Sequence, residues 1–119
     1  MTAQRILVVE DDDDIRDTLR EVLAAEGYDV AEARDGVDAF AHLKDGVDHV
    51  SLILLDMMMP RMDGWTFVDH QTNNPAIAAI PVVVLSAAPR NQLRDIRAVA
   101  ILQKPLNFDE LLAVLRTNC

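Results

Sequence analysis

The sequence predicts an α/β fold, a three-layer parallel sheet of five strands with helices on both faces. Five short aliphatic segments alternate with segments in which apolar residues recur at helical spacing. Strands this apolar are typical of a sheet buried on both faces. Parallel strands need crossover connections, and helical crossovers supply the two outer layers. With 119 residues and 50% hydrophobic content, the chain is predicted to be one domain, residues 1–119.

The five strands are runs of β-branched and aliphatic residues bounded by charged or turn-forming residues. The first run stops at an acidic cluster, and Pro81 lies near the start of the fourth. The predicted strands are residues 5–9 (RILVV), 28–33 (YDVAEA), 50–55 (VSLILL), 80–86 (IPVVVLS) and 100–103 (AILQ).

The helices between the strands are bounded by residues that favour helix ends. Asp13 or Asp14 can cap the first helix, and Gly27 can end it. Asn107 and Glu110 are placed like a capping box at the start of the last one. The predicted helices run from the acidic cluster to Gly27, from Asp35-Gly36 to Gly46, over about 64–74, over a short segment at 89–99, and from Asn107 to Arg116.

Composition argues against two classes of function. A net charge of -9 disfavours nucleic-acid binding, because such binding depends on Lys and Arg neutralising phosphates. The longest apolar run contains Asp56 and is far shorter than the roughly 20 residues of a membrane-spanning helix. Charge follows the first apolar residues too closely for a signal peptide. We therefore expect a soluble, cytoplasmic protein without a membrane or nucleic-acid partner, and the single Cys119 fits a reducing compartment.

Polar residues that could carry chemistry stand at the ends of the predicted strands. Glu10 and Asp11 follow the first, Asp56 the third, Ser86 ends the fourth and Lys104 follows the fifth. Sites in open α/β sheets form outside the carboxyl ends of the strands, so these side chains should converge. Crowded carboxylates repel unless a cation lies between them, and Mg²⁺ suits an open, oxygen-lined site. A metal, a carboxylate nucleophile, a hydroxyl and an ammonium together indicate phosphoryl transfer.

Four segments carry a resemblance to a known family. ILVVEDDDDIRDTL, LILLDMMMPRMDGW, VVVLSA and LQKPLNFDELL, in this order and spacing, resemble the receiver domain of two-component response regulators across essentially the whole chain. The resemblance implies a doubly wound, flavodoxin-like (βα)5 fold. It also implies Mg²⁺-dependent phosphorylation of an aspartate by a histidine kinase, a phosphotransfer protein of a phosphorelay or a small phosphodonor. Such a chain is a signalling switch, and it catalyses only its own phosphoryl transfer and autodephosphorylation.

The metal ligands follow from the resemblance, position by position. Asp56 would be the phosphoacceptor and a metal ligand, and Asp11 a second direct ligand. Glu10 would act through water, and the backbone carbonyl of Met58 would complete the protein's share of the coordination.

The remaining implied roles concern the phosphoryl group itself. Ser86 would move to hydrogen-bond it, and Lys104 would pair with it. Pro105 follows the lysine at a place where the family often has a cis peptide bond.

Two departures from the family pattern fall on its usual output face. Ile101 stands where family members usually carry Tyr or Phe, and the stretch from Ser86 to Lys104 is short, which implies a trimmed fourth helix. Because both departures lie on the output face, they concern signalling, and the residues implied in phosphorylation are all present. We expect a monomer or weak dimer with a protein target that the sequence does not identify. For Trp65, packing is favoured over a partner contact.

Three interpretations remain open. The chain is a stand-alone receiver or part of a longer regulator, and its signal passes through a partner protein. Alternatively, it is a degenerate receiver that acts as a phosphorylation-independent interaction module, which Ile101 and the short fourth helix favour. A Mg²⁺-dependent phosphatase of the haloacid dehalogenase class is disfavoured, because such enzymes carry a second Asp two residues after the nucleophile, where Met58 stands.

Overall fold

A computed structural model of the chain describes residues 4–43, 50–57, 62–87 and 98–119, and five parallel strands form one sheet there. The strand order β2-β1-β3-β4-β5 places the reversal of winding between β1 and β3. This confirms the predicted doubly wound α/β class. The strands are β1 (Arg5–Val9), β2 (Asp29–Ala33), β3 (Leu52–Asp56), β4 (Val82–Ser86) and β5 (Ala100–Gln103).

Two buried apolar clusters, one on each face of the sheet, account for the three layers. Alternate residues of a strand point to opposite faces, so Leu7 and Val9 join one cluster while Ile6 and Val8 join the other. The first cluster includes buried residues of α2 (Gly36–Leu43) and α3 (Gly64–Thr72). The second includes buried residues of α1 (Asp13–Ala25) and α4 (Phe108–Asn118).

The N-cap of α1 is Asp12, so the prediction of Asp13 or Asp14 was wrong. Asp12 has an extended backbone (φ -76°, ψ 117°), and its Oδ1 accepts hydrogen bonds from the N–H groups of Asp14 (2.9 Å) and Ile15 (3.0 Å). Asp13 and Asp14 are helical and place negative charge in the first turn, where the helix dipole favours it. Gly27 follows the helix with φ 91°, which confirms it as the stop.

Other boundaries differ from prediction by a few residues. β3 is displaced toward Asp56, because the backbone of Asp56 pairs with Leu85 of β4 whatever its side chain. Asn107 caps α4 as predicted, accepting from the Glu110 N–H at 3.1 Å, and the helix continues to Asn118. Gly46 and most of the predicted fourth helix lie outside the described residues. The last residue of that prediction, Val99, is not helical and donates its N–H to the Val82 carbonyl at 2.9 Å.

None of the described helices is long and apolar enough to span a membrane.

Candidate functional site

Three predicted carboxylates meet at the point where the winding of the sheet reverses. Glu10 and Asp11 follow β1, Asp56 ends β3, and β1 and β3 are neighbours. One carboxylate oxygen from each residue lies within 4.8 Å of those of the other two. Glu10 is fully buried and Asp56 is 4% exposed, whereas Asp11 is exposed. The cluster is therefore buried on the sheet side and open to solvent at Asp11.

Lys104 supplies the positive charge of this cluster. Its Nζ lies 2.8 Å from Glu10 Oε1 and 3.4 Å from Asp56 Oδ1, so one ammonium bridges the ends of β1 and β3. The Lys104 backbone N–H donates to the Ser86 carbonyl at 2.8 Å, and the Lys104–Pro105 peptide bond is cis. The predicted approach of Lys104 to the carboxylates and the cis bond are both present.

The charges of Glu10 and Lys104 stabilise one another. Burial raises the pKa of Glu10, but its hydrogen bonds with Asp56 and Lys104 and the Lys104 charge together hold it below its ordinary value. Burial lowers the pKa of Lys104, but its hydrogen bond with Glu10 and the charges of Asp56 and Glu10 raise it above the ordinary value. Lys104 is therefore an ammonium at neutral pH, and one cation faces three carboxylates.

Ser86 is placed at the same edge by the register of the sheet. It is fully buried and ends β4, one residue beyond Leu85, the partner of Asp56 in β3. The neighbouring strand β5 pairs Gln103 with Ser86, which brings Lys104 to the following position. The structure thus arranges the ends of β3, β4 and β5 as the sequence predicted.

Met57, directly after β3, and Gly64, the first residue of α3, approach one another closely. The Gly64 N–H donates to the Met57 carbonyl at 3.0 Å. A Cβ on Gly64 would lie 2.3 Å from Met57 Sδ and 3.0 Å from Met57 Cα, so a larger residue would require the Met57 side chain to move. Gly64 thus lets the start of α3 pack directly beside the Asp56 edge.

The donor set fits a hard divalent cation. All three clustered side chains offer carboxylate oxygens, two of them buried, and Mg²⁺ prefers oxygen ligands from one or two carboxylates together with water. Three carboxylates against one ammonium also leave a net negative charge that a cation would neutralise. The predicted fourth contributor, the Met58 carbonyl, lies outside the described residues.

Two features of the site edge were not predicted. Trp65, for which packing was favoured, is 39% exposed at the start of α3, so it is only partly covered by its neighbours. Arg16 of α1 donates from Nη1 to the Glu10 carbonyl at 2.9 Å. The sequence offers no pattern that marks this contact, because an arginine in the first turn of a helix ordinarily faces solvent.

Comparison with known proteins gives a consistent result. Residues 6–116 match the family model described as the response regulator receiver domain. Protein PilG of Pseudomonas aeruginosa is 33% identical over 118 residues, which are 96% of this chain and 86% of PilG. Response regulator MprA of Mycobacterium avium is 39% identical over 116 residues, or 94% of this chain, and the chain spans about half (49%) of MprA.

Solved structures with a similar fold include proteins of the same kind. The chemotaxis protein CheY4 of Vibrio cholerae superposes with a TM-score of 0.86 at 28% identity, covering 99% of this chain and 100% of that one. The signal receiver domain of a histidine kinase from Syntrophus aciditrophicus gives a TM-score of 0.87 at 28% identity, covering 97% of this chain and 89% of that one. The fold, the convergent strand ends and the extent of the family match show that this chain belongs to the response regulator receiver domain family of two-component systems.

Proposed function

We propose that this chain is a phosphorylation switch in which Asp56 accepts a phosphoryl group in a Mg²⁺-dependent reaction. The observation that carries the proposal is the position of the Asp56 carboxylate. It stands within 4.8 Å of Glu10 and Asp11, which suit a divalent cation, and 3.4 Å from the Lys104 ammonium. With Mg²⁺ held by these carboxylates, the metal and Lys104 would neutralise the oxygens of a phosphoryl group, and Asp56 would be suited to attack its phosphorus atom.

In the proposed reaction, each polar residue at the strand ends has its own role. An Asp56 oxygen attacks the phosphorus of a phosphohistidine or small phosphodonor; a P–O bond forms, the P–N or P–O bond to the donor breaks, and the leaving group takes a proton from solvent. A bound Mg²⁺ would supply charge neutralisation at the phosphoryl oxygens. Lys104 would exchange its Asp56 contact for a phosphoryl oxygen, and Ser86 would donate its hydroxyl hydrogen to another. Attack by water on phosphorus later releases inorganic phosphate and restores Asp56.

The same proposal disfavours turnover of an external substrate. Phosphatases of the haloacid dehalogenase class use an acid and base two residues after the nucleophile, and the sequence places Met58 there. A thioether cannot transfer a proton. We therefore propose that the chain promotes its own phosphorylation and dephosphorylation and is not otherwise an enzyme.

We predict that incubation with phosphoramidate and Mg²⁺ adds one phosphoryl group to the chain. Intact-mass spectrometry measures the gain, and the same incubation with excess EDTA should leave the mass unchanged. A folded protein that binds Mg²⁺ but gains no mass with phosphoramidate or acetyl phosphate would contradict the proposal and support the phosphorylation-independent interaction module.

An apolar groove beside the site suggests where a protein phosphodonor docks. It has a volume of about 280 Å³ and runs from α1 to the start of α4, past Lys104. Its lining is mostly apolar, with an exposed acidic residue at the edge: Asp14, Ile15, Thr18, Leu19, Lys104, Pro105, Leu106 and Phe108. We propose that a helix of a histidine kinase or phosphotransfer protein lies in this groove and presents its phosphohistidine to Asp56.

Thr18→Arg should lower phosphoryl transfer from a histidine kinase that phosphorylates the wild-type chain, by about tenfold if one well-packed contact is lost. The larger side chain would occupy the groove, while Glu10, Asp11, Asp56 and Lys104 are left unchanged. Phosphorylation by phosphoramidate should be unchanged. Thr117→Arg is a matched control, because Thr117 is also exposed and also donates its hydroxyl to the carbonyl four residues earlier, but lies outside the groove. Equal transfer to both variants would contradict docking here.

The output of the switch is proposed to pass through a protein partner. Ile101 is half-buried in β5, pairs with Val84 and packs against the cluster formed with α2 and α3. A change at Ser86 could reach it through the neighbouring strand, although an isoleucine alters less surface than the aromatic residue usual in the family. A monomeric or weakly dimeric state and a cytoplasmic location remain predictions.

A further inference from the structure

Arg16 of α1 contacts residues 10–12, here called the acidic loop, through a hydrogen bond that the proposed phosphoryl transfer does not involve. Its Nη1 donates to the backbone carbonyl of Glu10 at 2.9 Å, and its Nη2 pairs with Asp13. Its side chain is only 12% exposed, whereas a surface arginine would extend into water. The guanidinium is thus folded back from α1 over the end of β1.

The location of Arg16 is unfavourable for a cation. It is the fourth residue of α1, near the positive end of the helix dipole. Burial also costs a guanidinium part of its hydration. The pair with Asp13, the charges of Glu32 and Asp17, and the Glu10 carbonyl offset these costs. The planar fork of arginine can make the Asp13 and Glu10 contacts at the same time, which a single ammonium does less well.

A hydrogen bond to the Glu10 carbonyl affects the orientation of Asp11. It belongs to the same peptide group as the Asp11 N–H, so holding it sets the plane from which the Asp11 side chain departs. On the other side, the Glu10 N–H donates to the Ala33 carbonyl of β2 at 3.0 Å. Glu10 is therefore hydrogen-bonded to β2 through its N–H and to α1 through its carbonyl.

The two acidic side chains differ in how much support they receive. The Glu10 carboxylate is buried and bound by Lys104, with the Asp12 N–H at 3.5 Å from its other oxygen. The Asp11 carboxylate is exposed, so its position depends mainly on the backbone that carries it. An anchor on the Glu10–Asp11 peptide consequently matters most for Asp11.

We propose that Arg16 is a positioning residue for the divalent cation site, holding the Glu10–Asp11 peptide so that the Asp11 carboxylate faces those of Glu10 and Asp56. This inference rests on the proposed role of the three carboxylates as the cation site. A positioning role and a purely electrostatic role predict opposite changes in Mg²⁺ affinity when Arg16 is lost. Removing a nearby positive charge should strengthen cation binding by electrostatics, whereas losing the anchor should weaken it.

Isothermal titration of Mg²⁺ into the metal-free chain tests the proposal without any phosphorylation step. Arg16→Met keeps much of the length and apolar contact but cannot donate a hydrogen bond. We expect it to weaken Mg²⁺ affinity by about tenfold, as losses of outer-shell support for metal ligands commonly do. Arg16→Lys keeps the charge and one donor group and should recover part of that loss.

Arg20→Met is the matched control. Arg20 lies one turn further along α1, pairs with Asp17 at 3.4 Å and Glu32 at 3.5 Å, and does not contact the acidic loop. Its loss removes the same charge from the same helix, so Mg²⁺ affinity should be unchanged or slightly higher. Urea unfolding of each variant establishes that it is folded at the titration temperature.

The outcomes separate the inference from the proposed function. If the wild-type chain binds Mg²⁺ and Arg16→Met binds it equally well or more tightly, the positioning role is wrong and the switch stands. If both Arg16→Met and Arg20→Met weaken binding equally, the effect belongs to the helix as a whole, and the positioning role is again wrong. If the wild-type chain binds no divalent cation, the cation site and the inference built on it both fail.

Discussion

Asp56→Asn should gain no phosphoryl group from phosphoramidate and Mg²⁺, whereas the wild-type chain gains one. An amide oxygen is a far weaker nucleophile than a carboxylate, and none of the other described carboxylates combines the Glu10 and Asp11 neighbours with the Lys104 contact. The fold should persist, because Asn has nearly the shape of Asp and removes one negative charge from a buried acidic cluster. Intact mass after incubation is the measurement.

Asp63→Asn provides the control for that loss. Asp63 lies a few residues further on, is exposed and caps α3 by accepting the Thr66 N–H at 2.8 Å. Because Asn caps a helix about as well as Asp, this variant should be phosphorylated like the wild type. A phosphoryl group that persists on Asp56→Asn and maps by peptide mass to another residue would show that the proposed acceptor is wrong.

The strands were largely predictable because their chemistry is local. β1 and β5 were predicted to the residue, since charged or turn-forming residues bound each run of aliphatic residues. The end of β3 was missed because a carboxylate at the end of an apolar run looks like a terminator. In the sheet, the backbone of Asp56 still pairs with β4 while only its side chain turns toward the site.

The convergence of the site was predictable from topology, but its internal contacts were not. Carboxyl ends of parallel strands share one edge, so Asp56, Ser86 and Lys104 had to lie near it. Which of Glu10 and Asp11 is buried depends on the path of the chain after β1, and that path depends on the Asp12 cap and on Arg16. These are contacts of individual side chains with backbone atoms, for which sequence spacing carries little information.

Trp65 illustrates a different limit. Its large apolar ring favoured packing, yet Phe67 and Val68 occupy the buried side of α3 and leave Trp65 facing outward. Trp65 lies at the flank of this buried face, where a large side chain is only partly covered.

Lys104→Met should destabilise the metal-free protein by about 3 kcal/mol near pH 7, at the lower end of the range for breaking a buried ion pair because Lys104 is 21% exposed. The substitution leaves Glu10 and Asp56 without their shared cation, 2.8 and 3.4 Å from where it stood. Urea unfolding in excess EDTA measures the loss. Arg116→Met removes an exposed cation from α4 and should change the free energy of unfolding by less than about 0.5 kcal/mol.

The difference in free energy of unfolding between the wild type and Lys104→Met should shrink as the pH falls. In the wild type the pKa of Glu10 is below its ordinary value of 4.5, so its stabilising contribution is present above that value and is lost as the pH falls through the lower folded-state pKa. Without Lys104, two of the causes that lower the pKa of Glu10 are lost while burial still raises it, so we expect the pKa of Glu10 to be higher in the variant. Protonation then relieves the unpaired charge, and the stability of the variant rises relative to the wild type between pH 7 and about 5. A stability difference that does not change with pH would contradict the assignment of the loss to the buried Glu10 charge.

Mg²⁺ should raise the free energy of unfolding of Lys104→Met more than that of the wild type. A ligand that binds the native state raises the free energy of unfolding in proportion to the logarithm of its concentration over its dissociation constant. The cluster of Lys104→Met carries one more net negative charge, so it should bind Mg²⁺ more tightly and regain more stability than the wild type does. Phosphorylation should nevertheless remain slow in the variant with Mg²⁺ present, because the ammonium that pairs with the phosphoryl group is gone. Restored stability together with wild-type phosphorylation would mean that Lys104 serves the fold of the metal-free site and has no part in the transfer.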